Sequence, residues 1–557
     1  MKKIGRFSSC RGVSFEIQPP ASSPFSCVAP SQDESEMQDE KKVWLPWNHK
    51  SSFKVFPTNN SGSLRRSLSR PSSHFCDLDI EDDYDDWVEG IEEGDYEGEE
   101  SNDVEQQNQV IRVPSKREQP AKVARPKQSR LSIILLDQGL FTVYKRLFVV
   151  CLFINVLCLI LAATGYFPYA RNRATLFSIA NILGLVLCRS EALLRVIFWL
   201  AVKVLGRSWV PLPLKTATTS FLQCLGGVHS GCGVSSVIWL VYSLVLTLKD
   251  KDNTSSAIIA VASSILSLLC LSSLAAFPLV RHLHHNIFER THRFAGWTSL
   301  VLVWVFIFLT LSYDPISKSY DNLRFSVLMK AQEFWFTLAI TIVIILPWIT
   351  VRRVPVKVTA PSGHASIIKF EGGVKAGILG RISPSPLSEW HAFGIISDGK
   401  NDHMMLAGAV GDFTKSLVAN PPTHLWVRQV HFAGLPYLTN MYDRVLLVAT
   451  GSGICVFLSF LLQPCSAEVC LLWVAKGIEQ NFGTEIKKAV SGFPTDKVIV
   501  HDTAISGRPN VSQMSIDAAK KWGAQVVIVT SNPEGSRDVV DACKGVGIPA
   551  FGPIWDS

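Results

Sequence analysis

Four histidines crowd into residues 281–297, RHLHHNIFERTHRFAGW, beside Arg281, Glu289, Arg290 and Arg293. The stretch is wedged between apolar runs at 257–280 and 294–311. Ionisable groups this dense beside apolar helices are expensive and rarely idle, and imidazole is the usual side chain for holding a b-type haem iron. Another histidine, His229, sits in the run LGGVHSGCG. His229 and His292, from different helices, are therefore the candidate metal ligands for clamping one haem b. Gly226, Gly227, Gly231 and Gly233 around His229 would leave room for a flat macrocycle, or simply for tight helix packing. A further run carries Arg189, Glu191 and Arg195. Glu191 and Arg195 are four apart and can pair on one helix face. Arg189 is left needing an anion, either a haem propionate or a lipid phosphate.

A second set of chemically suggestive residues lies near the C-terminus. Gly451, Ser452 and Gly453 follow a buried strand and open a helix; such glycines let backbone approach a pyrophosphate, and a helix start aims N–H groups at it. Lys476 ends the next strand, where a cation can meet a ribose 2′-phosphate, and Arg508, in Gly507-Arg508-Pro509-Asn510, follows the third strand on the same edge. Open α/β sheets bind ligands at that edge.

These residues must be held by several domains, since 557 residues exceed one core. Charged residues make up only 18% and mean hydropathy is +0.22, a membrane-like balance. The net charge of +7 hides an acidic run that nearly cancels several basic patches, so it argues for no nucleic-acid partner. The thirteen cysteines form no CxxC pair, which leaves no usual zinc site. No signal peptide opens the chain, because MKKIGRFSSCRGVSF lacks an apolar core. Residues 1–130 read as a disordered tail, acidic over 77–100 and basic over 112–130, with a kinase-like Arg65-Arg66-Ser67. The acidic part is a solvated tail or a docking segment for a protein partner; the basic part suits anionic lipid headgroups.

Six apolar runs follow, at 146–166, 174–202, 217–248, 257–280, 294–313 and 333–351, each near the ~20 residues a bilayer needs. The Lys and Arg bias between them favours both termini in the cytosol. From 354, short alternating segments separated by Gly, Pro and Ser predict the strands of a small barrel. From 444 the alternation becomes strand–helix, which predicts a parallel α/β sheet.

In order along the chain these features resemble the ferric reductase and NADPH oxidase superfamily. Within it they are closest to TmpA-like integral membrane proteins and to the membrane-anchored C-terminal half of fungal adenylate-forming reductases. Phe288-Glu289-Arg290-Thr291-His292 resembles the family's entry into its fifth helix, whose histidine ligates the inner haem. Cys188-Arg189 with Arg195 resembles its second-helix motif, where arginines approach propionates. Residues 390–393 look like the flavin motif and Gly411-Asp412-Phe413-Thr414 like the turn after it, so the resemblance implies FAD contacts from His391, Phe393, Ile395 and Thr414. Gly451, Ser452, Gly453, Lys476, Arg508 and Pro533 fall on its NADP-binding positions. The outer haem ligands are replaced by Ser243 and Val305, and Phe457 stands where it can crowd a nicotinamide.

The resemblance implies a six-span α-helical membrane domain at 140–353 followed by a ferredoxin-NADP reductase-like module. That module comprises an FAD-binding-like β-barrel at 354–443 and an NADP-binding-like α/β domain at 444–557. The function expected is a multi-pass membrane flavoprotein oxidoreductase of the plasma membrane or an endomembrane. It would pass electrons from NADPH through FAD to at most one inner haem b or to an acceptor at the cytosolic face. The alternative is a catalytically degenerate membrane regulator or signalling scaffold that keeps the reductase fold.

Overall fold

The computed structural model describes residues 6–8, 14–16, 142–277, 280–281 and 285–553. A first unit, residues 1–70, contributes an antiparallel pairing of Arg6–Ser8 with Ser14–Glu16. The rest of the expected tail, with its acidic, basic and kinase-like stretches, lies outside the described residues, as do His282 and His284. The second unit is 71–557.

Its N-terminal part is a helical bundle. Helix α1 spans Val143–Ala163, α2 Ala174–Leu187, α3 Glu191–Leu205, α4 Leu212–Gln223, α5 Leu225–Lys249, α6 Ser256–Ala275, α7 His285–Ser312 and α8 Gln332–Ile349. Among the described residues, five helices are long and apolar enough to cross a membrane: α1, α5, α6, residues Ile287–Ser312 of α7, and α8. Six were expected, and the second run accounts for the difference. It breaks after α2, where the Ser190 hydroxyl accepts the Leu193 N–H at 3.4 Å and starts α3 afresh, as an N-cap serine does. The 14 residues of α2 reach only about 21 Å at 1.5 Å per residue. The third run likewise divides at Cys224 into α4 and α5.

The bundle closes on Ile179, Leu240, Ile265, Val303, Ile307 and Ile340, one or two from each of α2 and α5–α8. The Asn155 amide helps to tie α1 into it, beside a Tyr144–Ser230 hydroxyl pair at 2.8 Å. Asn155 Oδ1 accepts the Trp239 indole N–H at 3.0 Å and the Asn181 amide at 2.8 Å, so α1, α5 and α2 share one acceptor. Buried polar groups persist in a core when they are paired in this way.

The expected barrel is instead two antiparallel sheets facing across a common core. Strands are β1 Val351–Pro355, β2 Lys357–Ser362, β3 Ala365–Glu371, β4 Ile378–Ser383, β5 His391–Gly394, β6 Ile396–Ser397, β7 Asp402–Gly408, β8 His424–Arg428 and β9 Phe432–Ala433. One sheet runs β6-β7-β3-β2; the other runs β9-β4-β8-β1, with β5 also on β4. Ile368, Phe370, Ile382, Phe393, Met405 and Leu425 fill the space between them. Helix α9, Asp412–Ala419, follows β7 where a simple turn was expected.

The last layer is a five-stranded parallel sheet of β10 Arg444–Thr450, β11 Glu468–Ala475, β12 Val498–Asp502, β13 Val526–Thr530 and β14 Ala550–Phe551, in the order β12-β11-β10-β13-β14. Helices α10 Ile478–Ser491, α11 Val511–Trp522 and α12 Pro533–Gly545 connect it. The central strands read as continuous apolar runs because helices and loops cover both faces. Val445, Leu446, Leu447, Val448 and Ala449 are all buried.

Candidate functional site: the carboxyl edge of the parallel sheet

From β10 the chain winds outward to β11 and β12, then crosses back to β13 and β14 on the other side. The order therefore reverses between β10 and β13, and the crevice outside such a reversal is where open α/β sheets take ligands. Two turns meet there. Gly451, with φ +52°, bends the chain after β10, a left-handed conformation that a β-carbon would strain. Ser531-Asn532-Pro533 turns the chain after β13, with Pro533 at the first turn of α12 and the Asn532 side chain accepting the Gly535 N–H at 2.8 Å. The hydroxyls of Thr450 and Ser531 bridge the two turns at 2.7 Å.

The nucleotide loop itself differs from expectation. Gly451–Val456 is a 3-10 segment followed only by the short helix Ser459–Leu462. Its carbonyl at Gly451 accepts the Trp473 indole N–H at 2.9 Å. Phe457 is fully buried in the core shared with β10 and β11, so it does not crowd the crevice. Burial pushes the neighbouring Cys455 thiol up to about 12, which leaves it unreactive.

Lys476 and Arg508 are both exposed at this edge. The residue that positions Lys476 escaped the sequence reading. Asp502, at the end of β12, accepts the Gly477 and Ile478 N–H groups at 2.8 Å each and the Ala504 N–H at 2.9 Å. Partial burial pulls its carboxyl upward, but the three N–H bonds outweigh that and hold its pKa below the usual range. An acid closing a strand opposite a Gly turn was the available signal.

The residues quoted for a flavin are placed differently. His391 and Phe393 lie two apart on β5 and Ile395 directly follows it, and all three are buried. Phe393 and Ile395 belong to the core between the sheets, while the His391 ring stacks on Phe413 at 4.4 Å and 8°. Thr414 Oγ1 accepts the N–H groups of Val410 and Gly411 at the start of α9. A β-carbon on Gly394 would lie 2.6 Å from Val456 and 2.7 Å from the Cys455 carbonyl carbon, so β5 and the nucleotide loop are in direct contact. None of Phe393, Ile395 or Thr414 offers its side chain to a ligand.

In the bundle, the structure does bring His229 and His292 together, with ring centroids 6.4 Å apart. His229 Nδ1 lies 2.9 Å from the Leu185 carbonyl and His292 Nδ1 2.8 Å from the Ser272 hydroxyl. Among the described residues, no group of three or more His, Cys, Asp or Glu gathers as a metal site. Ser243 bonds Thr175 at 2.7 Å. The expected Glu191–Arg195 pair is not made. Glu191 instead takes Arg381 and Arg428 from the neighbouring strands β4 and β8 of one sheet, Arg195 donates to the His431 carbonyl at 3.0 Å, and Arg189 lies exposed at the break after α2.

His431 gives a pH dependence with a defined sign. Burial, reinforced by His403 5.9 Å away and by Arg195, pushes its pKa down to about 4. The unfolded chain takes up this proton first, near the unperturbed ~6.5. Stability from this group is therefore complete above ~6.5 and drains away towards pH 4, by roughly 3 kcal/mol over the window. Urea midpoints measured from pH 7.5 to 4.5 should fall accordingly, and His431→Gln should flatten the curve.

Comparison with known proteins supplies the family context. The model for "Adenylate-forming reductase 03009, C-terminal domain" matches residues 435–557. Adenylate-forming reductase 03009 of Coprinopsis cinerea is 33% identical over 480 residues, 84% of this chain but 45% of the relative. Adenylate-forming reductase 06235 of the same fungus is 34% identical over 436 residues, 76% and 41% of the two chains. The chain thus spans less than half the length of these curated relatives. Solved structures align at low similarity. Phthalate dioxygenase reductase has a TM-score of 0.29, 15% identity, and 36% and 67% coverage of this chain and that one. A mutant ferredoxin-NADP+ reductase of Plasmodium falciparum in complex with 2'P-AMP has a TM-score of 0.29, 9% identity, and 36% and 95% coverage.

These matches correct the expected superfamily, because they are to adenylate-forming reductases and not to ferric reductases, NADPH oxidases or TmpA-like proteins. Electron delivery from a membrane-embedded enzyme to a haem b is withdrawn on the same finding, and the degenerate membrane regulator falls with it. The multi-pass localisation with cytosolic termini is withdrawn too; what stands is five helices of sufficient length and apolarity. By sequence, the chain is similar to adenylate-forming reductases over most of its own length.

Proposed function

We propose that residues 351–553 act as an FAD- and NADPH-dependent oxidoreductase module. The observation that carries the reading is the reversal of strand order between β10 and β13, with a left-handed glycine on one side and Lys476 and Arg508 along the same edge. The small residues Gly451, Ser452 and Ser531 fit the close approach of a pyrophosphate, and the two cations suit a 2′-phosphate. A bound pyridine nucleotide supplies hydride. The chain's own part is to hold the phosphates, with Asp502 fixing the Lys476 turn by its bonds to Gly477 and Ile478. The flavin half rests on the two-sheet unit preceding the parallel sheet, not on the quoted side chains of β5. Both relatives carry the name reductase, which agrees in kind.

Purified full-length protein should carry flavin absorption bands. It should also bind NADPH saturably, enhancing the nicotinamide fluorescence, and NADPH should bleach the flavin. Colourless protein with no saturable NADPH binding would refute the reading.

A further inference from the structure

Helix α3 carries apolar residues on both its inner and its outer face. Its inner face, Leu194, Ile197, Phe198, Ala201, Val202 and Leu205, packs into the cores of the sheets below. Its outer face is Val196, Trp199, Leu200, Lys203 and Val204, at the 3–4 spacing of one helical stripe. Val196 is 57% exposed, Trp199 48%, Leu200 51% and Val204 51%, and Trp209 just beyond the helix is 78% exposed. Trp199, Leu200, Val204 and Trp209, with Lys203, Arg207 and Ser208, line a shallow cleft of about 530 Å³. A soluble surface does not keep two indoles and three aliphatic side chains in water without use.

The charge is one-sided. No Asp or Glu occurs between Glu191 and Asp250, and Lys203 Nζ sits 4.7 Å over the Trp199 ring. Indoles beside Lys and Arg, on a stripe of aliphatic residues, make the composition of a helix lying in the headgroup layer. The rings enter the acyl boundary while the cations meet phosphate and carboxylate groups.

We infer that the outer face of α3, with Arg207 and Trp209, is a docking surface for an anionic phospholipid membrane, with the cleft seating one headgroup. This surface lies outside the carboxyl edge of the parallel sheet and stands whether or not NADPH binds there.

The test uses full-length protein with phosphatidylcholine vesicles and with vesicles containing 30% phosphatidylserine. Any association through the long apolar helices is common to both, so the readouts are the preference for anionic vesicles and the quenching of tryptophan by brominated lipid. Wild type should bind the anionic vesicles at least tenfold more tightly. Lys203→Glu/Arg207→Glu should abolish that preference while keeping its circular dichroism and Tm. Trp199→Phe/Trp209→Phe should remove most of the extra quenching that brominated anionic lipid produces. Soluble glycerophosphoserine should not compete; competition at millimolar levels would mark a small-molecule phosphate site and overturn the membrane assignment. An unchanged anionic preference in the charge-reversal variant, or no quenching assigned to Trp199 and Trp209, would overturn it as well.

Discussion

Replacing Lys476 with Glu is expected to weaken NADPH binding by on the order of 10–100-fold and to leave NADH binding nearly unchanged. A hydrogen bond to a charged group contributes roughly 1.5–3 kcal/mol, and each 1.4 kcal/mol is a factor of ten. The proposed function gives Lys476 the discriminating charge. Its carbonyl is held by the Asn481 amide at 2.7 Å, the next two N–H groups are held by Asp502, and the ammonium is exposed at the sheet edge. The backbone at Lys476 is thus fixed while its charged end is exposed. Fluorescence titration with both nucleotides reads the effect. Equal losses for NADPH and NADH would remove the 2′-phosphate role; no loss of either would remove Lys476 from the site.

Glu191→Ala should be the most damaging single substitution for the contact between α3 and the sheets, costing about 3–5 kcal/mol. The carboxylate is 11% exposed and shared by Arg381, 31% exposed, and Arg428, 16% exposed. Removing it leaves two guanidinium groups facing each other, one of which already has a buried Nε with no hydrogen-bond partner. Arg428 also rests 4.8 Å from the Trp390 ring, so it cannot swing into water without losing that contact. Glu191→Gln keeps an acceptor and should cost less. Urea unfolding of both variants, with Arg195→Ala as a milder comparison, gives the ranking, and a loss below 1 kcal/mol for Glu191→Ala would show that the triad is not structural.

Glu191 also shows where the sequence stops being legible. Its local neighbour Arg195 is four residues on and suggested a helix pair, but its partners lie 190 and 237 residues away. Nothing in local spacing encodes them. The parallel sheet was readable because its inner strands are near-continuous apolar runs, and the run Val445–Ala449 ends close to Gly451, where the bend followed. The break at Ser190 was readable in principle, since a serine before an acidic residue is a helix start. An apolar run on both sides masked it. The burial of the residues expected at a flavin follows from a rule already available. Residues two apart on a strand share a face, so His391, Phe393 and Ile395 had to point the same way, and two large apolar residues among them point into a core. Whether the Gly451 loop opened a long helix or a 3-10 turn depended on Trp473 reaching its carbonyl from the next strand, a contact that periodicity does not report.

Asn155 offers a single oxygen to donors from two other helices. Rolling α5 about its own axis would take the Trp239 indole off its acceptor in an apolar interior, and rolling α2 would leave the Asn181 amide only the Phe177 carbonyl of its own helix. The three rods are thereby keyed to one another, and any rearrangement of the bundle has to carry them as one piece and hinge somewhere else along the chain.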